Sequence, residues 1–156
     1  MLMIPGPAGY LEAALREPRR RPVPAAAVFC HPHPLHGGDM NNRVVYRAAK
    51  AAAHAGVAAL RFNFRGVGAS SGTHDDGRGE GEDVRAAIRW LGSRYPGKAL
   101  ALVGFSFGAW VGLRIGCEDP GIEALIGLGL PLSHYDFAFM SRSRKPALVV
   151  DRKSVV

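Results

Sequence analysis

The residues best placed to do chemistry are Gly104-Phe105-Ser106-Phe107-Gly108. They form a G-x-S-x-G pattern, with one serine hydroxyl between two glycines. Five residues alone are a weak signal, but their flanks make it specific. The apolar run Lys98–Gly104 reads as a buried strand, and Phe107–Cys117 reads as a helix. A strand turning sharply into a helix exposes a serine as a nucleophile. The turn is strained and runs close to the sheet, so a Cβ at position 104 or 108 would clash. The helix N-terminus also aims free N–H groups at any negative charge developing beside the hydroxyl. A glycine-rich turn with an incidental serine would leave the agreement of strand, turn and helix unexplained.

Other candidates weaken on inspection. His31-Pro32-His33-Pro34-Leu35-His36 spaces three histidines as H-x-H-x-x-H. The prolines restrict the backbone, and no carboxylate or cysteine cluster completes a site, so no metal is expected. A rigid loop on a pocket rim suits the segment better. Arg65-Gly66-Val67-Gly68, with Gly72, superficially resembles a phosphate loop. No Gly-Lys-Ser/Thr follows and no helix opens directly from it, so it reads as a structural turn. Downstream of Ser106 stand His134 and then Asp136, the reverse of the Ser, acid, His order of a strand–turn–helix hydrolase.

The elements that must position Ser106 follow from apolar runs and punctuation. Ala25–Cys30 is a short apolar strand between Pro24 and Pro32. Arg43–Ala55 is an alanine-rich helix, capped by Asn41 or Asn42 and stopped by Gly56. Val57–Asn63 is the next strand, followed by a glycine-rich loop, Arg65–Gly79. Glu80–Tyr95 is a helix with acids at its positive end and Pro96 after it. Ile122–Leu130 is a further strand, and Ala147 starts a fifth, Ala147–Val150. Strands alternating with helices give a doubly wound, mostly parallel α/β sheet. The strands are continuous apolar runs, as expected when both faces are covered. Leu11–Glu17 is ambiguous: its composition favours a helix, while Gly9 and Pro18 would equally suit a strand of an N-terminal hairpin.

The composition is that of a globular domain, 47% hydrophobic and 21% charged over 156 residues. The formal charge of +7 is mostly arginine scattered singly, with its densest run at Arg19-Arg20-Arg21. No basic stripe interleaved with aromatics is evident, so no nucleic-acid partner is expected. No secretory signal and no membrane span are read, and no membrane partner is expected: glycines and Arg114 break up the uncharged stretch Ala99–Gly116. Cys30 and Cys117 lack C-x-x-C spacing and read as buried thiols of a reducing compartment, which points to a cytoplasmic protein.

Taken with the elbow at 104–108, His31–Gly38 (HPHPLHGG) and Arg61–Gly68 (RFNFRGVG) resemble a family of small α/β hydrolases described as dienelactone-hydrolase-like. The resemblance runs from about Ile4 to Val150, with the motifs in family order. It implies the α/β-hydrolase fold, no cofactor, and hydrolysis of a carboxylic ester, lactone or related small acyl substrate through an acyl-Ser106 intermediate. It also implies an oxyanion hole built from the Phe107 N–H and a donor in the His31 loop. His33 falls at that donor position; Pro34 cannot donate, and Leu35 is the fallback. The segment between Leu130 and Ala147 is too short for a large lid, so an open site is expected. A non-catalytic binding module or relic on the same fold is the alternative, and acyl transfer to an acceptor other than water is a third option. The oligomeric state is not legible.

In this family the triad acid follows the strand starting at Ala147, and the histidine comes much later. Neither position is reached. The last strand and C-terminal helix of the fold are therefore expected to be missing, leaving an incomplete hydrolase domain over 1–150. Asp151-Arg152-Lys153-Ser154-Val155-Val156 translates GAT CGG AAG AGC GTC GTG, which resembles a sequencing-library adapter read in frame. The tail 151–156 is accordingly expected to be non-native, a genuine unusual C-terminus being the alternative, and Asp151 is a poor triad acid. Without acid and histidine, this fragment is expected to be inactive or to keep only a residual ~10³-fold acceleration over water.

Overall fold

The structure is a computed structural model that describes residues 1–151. Its strands are β1 (Leu2–Gly6), β2 (Gly9–Arg16), β3 (Ala25–Cys30), β4 (Val57–Phe62), β5 (Ala99–Phe105), β6 (Ile122–Leu128) and β7 (Ala147–Val150). The helices are α1 (Arg43–His54), α2 (Arg78–Arg94) and α3 (Phe107–Glu118). The seven strands lie in one sheet in the order β1-β2-β4-β3-β5-β6-β7. β1 and β2 are antiparallel to their neighbours, and every other pairing is parallel. The crossover leaving β3 runs to β4 and the one leaving β5 runs to β6 on the opposite side, so the carboxyl ends of β3 and β5 form the switch point at which sheets of this kind carry their sites.

Helices cover both faces. On one side α1 buries Val45 and Ala49 against Ala27, Phe29, Ala59 and Val103. The small residues there let helix and sheet approach closely. On the other, α2 and α3 bury Leu91, Leu113 and Ile115 against Ile4, Leu60, Phe62 and Leu102. Apolar burial of this kind stabilises by roughly 25 cal/mol per Å² and explains why the central strands read as unbroken apolar runs.

The ambiguous N-terminal segment is a strand. Leu11 and Ala13 turn inward, and β2 pairs with β4 through Ala13↔Phe62 and Leu15↔Leu60. Non-local pairing overrides the helix propensity of its Leu, Ala and Glu residues. Element ends differ from expectation. α2 begins at Arg78, two residues early, because the Glu80 carboxylate accepts the Gly77 and Asp75 N–H groups at 2.9 and 2.8 Å. β4 ends at Phe62, one residue early, although the Asn63 N–H still donates to the Glu12 carbonyl of β2 at 2.8 Å. β6 ends at Leu128, just before Gly129 adopts φ +54°. Asn42 rather than Asn41 caps α1, accepting the Val44 N–H at 3.0 Å. Cys30 is a buried free thiol, but Cys117 is only half-buried.

Among the described residues no helix is long and apolar enough to cross a membrane. Residues 152–156, most of the tail read as adapter sequence, lie outside the described residues. Among the described residues β7 pairs with β6 alone, and Leu148, Val149 and Val150 are 58%, 48% and 48% exposed. An exposed, apolar, flat edge is a template for further strand pairing. The chain is therefore expected to self-associate at micromolar concentration. Val149→Lys should shift light-scattering mass toward the monomer; a parent chain that is already monomeric and unfolds cooperatively would overturn this.

Candidate active site

The turn from β5 into α3 is built by close backbone approach. A Cβ on Gly104 would lie 2.5 Å from Ala109 Cα and from the Gly108 carbonyl oxygen. A Cβ on Gly108 would lie 2.4 Å from the carbonyl oxygens of Cys30 and His31. The first glycine lets α3 fold back over the strand, and the second lets α3 press onto the end of β3. Between them Ser106 takes φ 56°, ψ −119°, an uncommon conformation for a residue with a side chain. Such strain costs about 1–3 kcal/mol and persists only where the surroundings over-determine it. Here the Ser106 N–H donates to the Leu128 carbonyl at 3.1 Å, and its carbonyl accepts the Ala109 and Trp110 N–H groups at 2.9 and 3.2 Å.

The histidine-rich loop begins where β3 ends, beside α3. His31 is fully buried. Its Nε2 accepts the Phe64 N–H at 3.0 Å, so Nδ1 carries the proton and donates to the Pro32 carbonyl at 2.7 Å. Burial pushes its pKa down to about 4, against smaller opposing effects of the Pro32 carbonyl and Asp39. His31 is thus a neutral latch between two loops. The His33 carbonyl accepts the His36 and Gly38 N–H groups at 3.1 and 3.0 Å, and its Nδ1 accepts the Leu35 N–H at 3.1 Å. Leu35 has therefore committed its donor. The N–H groups of His33 and Phe107 take no protein acceptor among the described residues. Burial, then the neighbouring His36 and His74, lower the His33 pKa.

Phe107, buried immediately after the serine, collects the surrounding loops. Its ring centroid lies 4.8 Å from that of His33, 5.7 Å from Phe64, 5.8 Å from His74 and 6.2 Å from Tyr135. Tyr135 stacks on Trp110 at 4.3 Å and brings the segment after β6 against α3. His74 was not legible from sequence. Its Nδ1 stands 3.0 Å from Glu80 Oε2, and its ring lies 5.3 Å from that of His33. The first contact is close but poorly aligned, leaving Nδ1 without a hydrogen bond. Nothing in the run Arg65–Gly79 signals that pairing; only the acid three residues past the Gly77 cap hints at Glu80.

The Arg65–Gly79 loop is held by polar contacts. Arg65 forms a two-pronged pair with Asp83 at 2.9 and 3.1 Å, and the Asp83 hydrogen bond raises the Arg65 pKa. Asn63 accepts the Met40 N–H and donates to Glu12, which also accepts the Ala69 N–H. Among the described residues no hydrogen bond joins Ser106 to a histidine or carboxylate. His134 Nδ1 lies 3.0 Å from Ser133 Oγ, and Asp136 accepts the Ala138 N–H, so both are engaged locally. No group of three metal-ligating side chains occurs among the described residues.

Comparison with known proteins follows this geometry. The model of the X-Pro dipeptidyl-peptidase (S15) family matches residues 10–145. The uncharacterized protein RP471 of Rickettsia prowazekii is 39% identical over 157 residues; the match spans 97% of this chain and 66% of that protein. This chain therefore covers just under two thirds of that relative's length. XC6422 from Xanthomonas campestris, an α/β serine hydrolase without a lid, is 38% identical with a TM-score of 0.87, over 96% of this chain and 69% of the other. An α/β serine hydrolase homologue from Coxiella burnetii is 39% identical with a TM-score of 0.91, over 96% and 72%.

The tight approach at Gly108 and the buried His31 each carry a measurable consequence. Gly108→Ala should destabilise the chain by more than about 2 kcal/mol, since backbone rather than a movable side chain blocks the new methyl. Urea denaturation reads this directly, and a change within 0.5 kcal/mol would contradict the packing. The folded pKa of His31 is about 4, whereas an unfolded histidine titrates near 6.5. Below pH ~6.5 the unfolded chain takes up a proton that the folded chain refuses. Stability contributed by neutral His31 is full above that pH and is lost as pH falls toward 4, by up to about 3 kcal/mol. His31→Leu should flatten this part of the stability–pH curve.

Proposed function

The chain belongs to the X-Pro dipeptidyl-peptidase (S15) family of α/β serine hydrolases, and on that premise we propose that Ser106 is the nucleophile of an acyl-transfer reaction on a small carboxylic ester or lactone. The observation that carries the reading is the conformation of Ser106, held at φ 56° where β5 turns into α3. A base supplied by the rest of a full-length protein would take the Ser106 hydroxyl proton as Oγ bonds to the substrate carbonyl carbon. The carbonyl oxygen becomes an oxyanion between the free N–H groups of Phe107 and His33. Collapse expels the alcohol, which takes the proton from the base. Water then releases the acyl group by the same steps in reverse order.

The short segment between β6 and β7 favours an open site and hence small or medium substrates. That open site also suits acyl transfer to acceptors other than water. A dienelactone-hydrolase-like specificity and a cytoplasmic location remain parts of this proposal, as does the absence of a cofactor. A binding module on a hydrolase fold is the competing reading, favoured by the lack, among the described residues, of a base hydrogen-bonded to Ser106.

A fluorophosphonate probe separates the two readings. A chain extended to include a triad acid and histidine should label at Ser106, and Ser106→Ala should abolish the label. The chain of 156 residues should label at least a hundredfold more slowly. An extended chain with acid and histidine in place that never labels would establish the binding reading instead.

A further inference from the structure

Two arginines and a lysine that look scattered in sequence are gathered by α1 into one outward face. Arg43, Arg47, Lys50 and His54 follow one another at intervals of four, three and four residues. At about 100° per residue they fall within an arc of about 60°, over a length of about 16 Å. All four are exposed. The opposite side of the helix, Val45, Ala49 and Ala53, is buried on the sheet. α1 contains no acidic residue. Among the described residues none of the four stands within ion-pair distance of a carboxylate.

Arg19 and Arg20 extend this face. With His54 they line a cleft of about 440 Å³ between the end of β2 and the end of α1. The one acid in the cleft wall, Glu17, is already paired with Arg21 and Arg94. Arg19, Arg20, Arg43, Arg47 and Lys50 therefore stand without a carboxylate partner among the described residues.

We propose that this face docks the protein on an anionic lipid surface. Its shape decides the choice of partner. Arg43, Arg47 and Lys50 stand on the outer side of a single helix laid flat on the sheet, while Arg19 and Arg20 border the cleft beside its far end. Tyr46, the aromatic nearest the stripe, is covered by the guanidinium groups of Arg16 and Arg61 at 5.3 and 4.9 Å, and its hydroxyl accepts from Arg16. Its ring already engages two guanidinium groups, which compete with the base stacking that single-stranded nucleic-acid binders use. Clustered Lys and Arg on a surface helix are sufficient for attraction to anionic headgroups without insertion. The Arg43 end of α1 is also the end at which Ser106 stands, so docking keeps the crevice at the edge of the surface. The inference does not depend on catalysis.

Vesicle flotation tests it, because floating lipid separates bound protein from sedimenting aggregate. The whole chain should float with vesicles of phosphatidylcholine containing a third phosphatidylserine, and stay behind with phosphatidylcholine alone. Binding should fall steeply between low and physiological salt, as screening predicts. Each neutralised cation should weaken binding about fivefold, so Arg43→Gln/Arg47→Gln/Lys50→Gln should lose on the order of a hundredfold while keeping the parent circular dichroism and melting temperature. The single variant Lys50→Gln, with its fivefold loss, serves if the triple variant fails to fold. Equal flotation with neutral vesicles, none with anionic ones, or unchanged binding by these variants would overturn the proposal. So would tighter binding to a duplex oligonucleotide than to anionic vesicles, which would assign the face to nucleic acid.

Discussion

The site depends on one close approach, that of the first turn of α3 to the carboxyl end of β3. Gly108 has carbonyl oxygens of Cys30 and His31 where its Cβ would be. This contact places the start of a helix, with its unpaired N–H groups, directly beside the loop that leaves β3. It also compels the chain between β5 and α3 to turn within a single residue, and Ser106 is that residue. The strained backbone at Ser106 is thus a consequence of packing elsewhere, and its bond to Leu128 ties it to the next strand as well.

Around that contact the loops are joined by two different kinds of interaction. Phe107 contributes an apolar centre touched by rings from the β3 loop, the β4 loop and the segment after β6. Neutral His31 adds a polar latch between the first two of these. Each is buried, so neither competes with water, and together they join the loops that carry the His33 and Phe107 N–H groups. The same tertiary framework sets α1 on the far face of the sheet, where its outer side can carry charge unrelated to the crevice.

Much of this was legible beforehand, for local reasons. The central strands announce themselves as apolar runs because both faces are covered, and G-x-S-x-G is readable because strand, glycines and helix must be contiguous. Other features were not local. Leu11–Arg16 of the ambiguous segment Leu11–Glu17 is a strand through pairing with β4, more than forty residues away in sequence. His74 reaches His33 and Glu80 through the path of a glycine-rich loop, which no periodicity describes. The basic face was missed differently: its spacing is regular, but only burial of Val45, Ala49 and Ala53 tells which side of α1 faces outward.

The sequence by itself determined the order of elements, the doubly wound sheet and the serine at its elbow, since each follows from hydrophobic pattern and backbone constraints within a few residues. Only the tertiary structure decided which donors are free, which histidine is latched and neutral, and where the positive charge collects. Those properties depend on distances between segments far apart in the chain and on burial from water. Neither quantity is a function of any local stretch of residues.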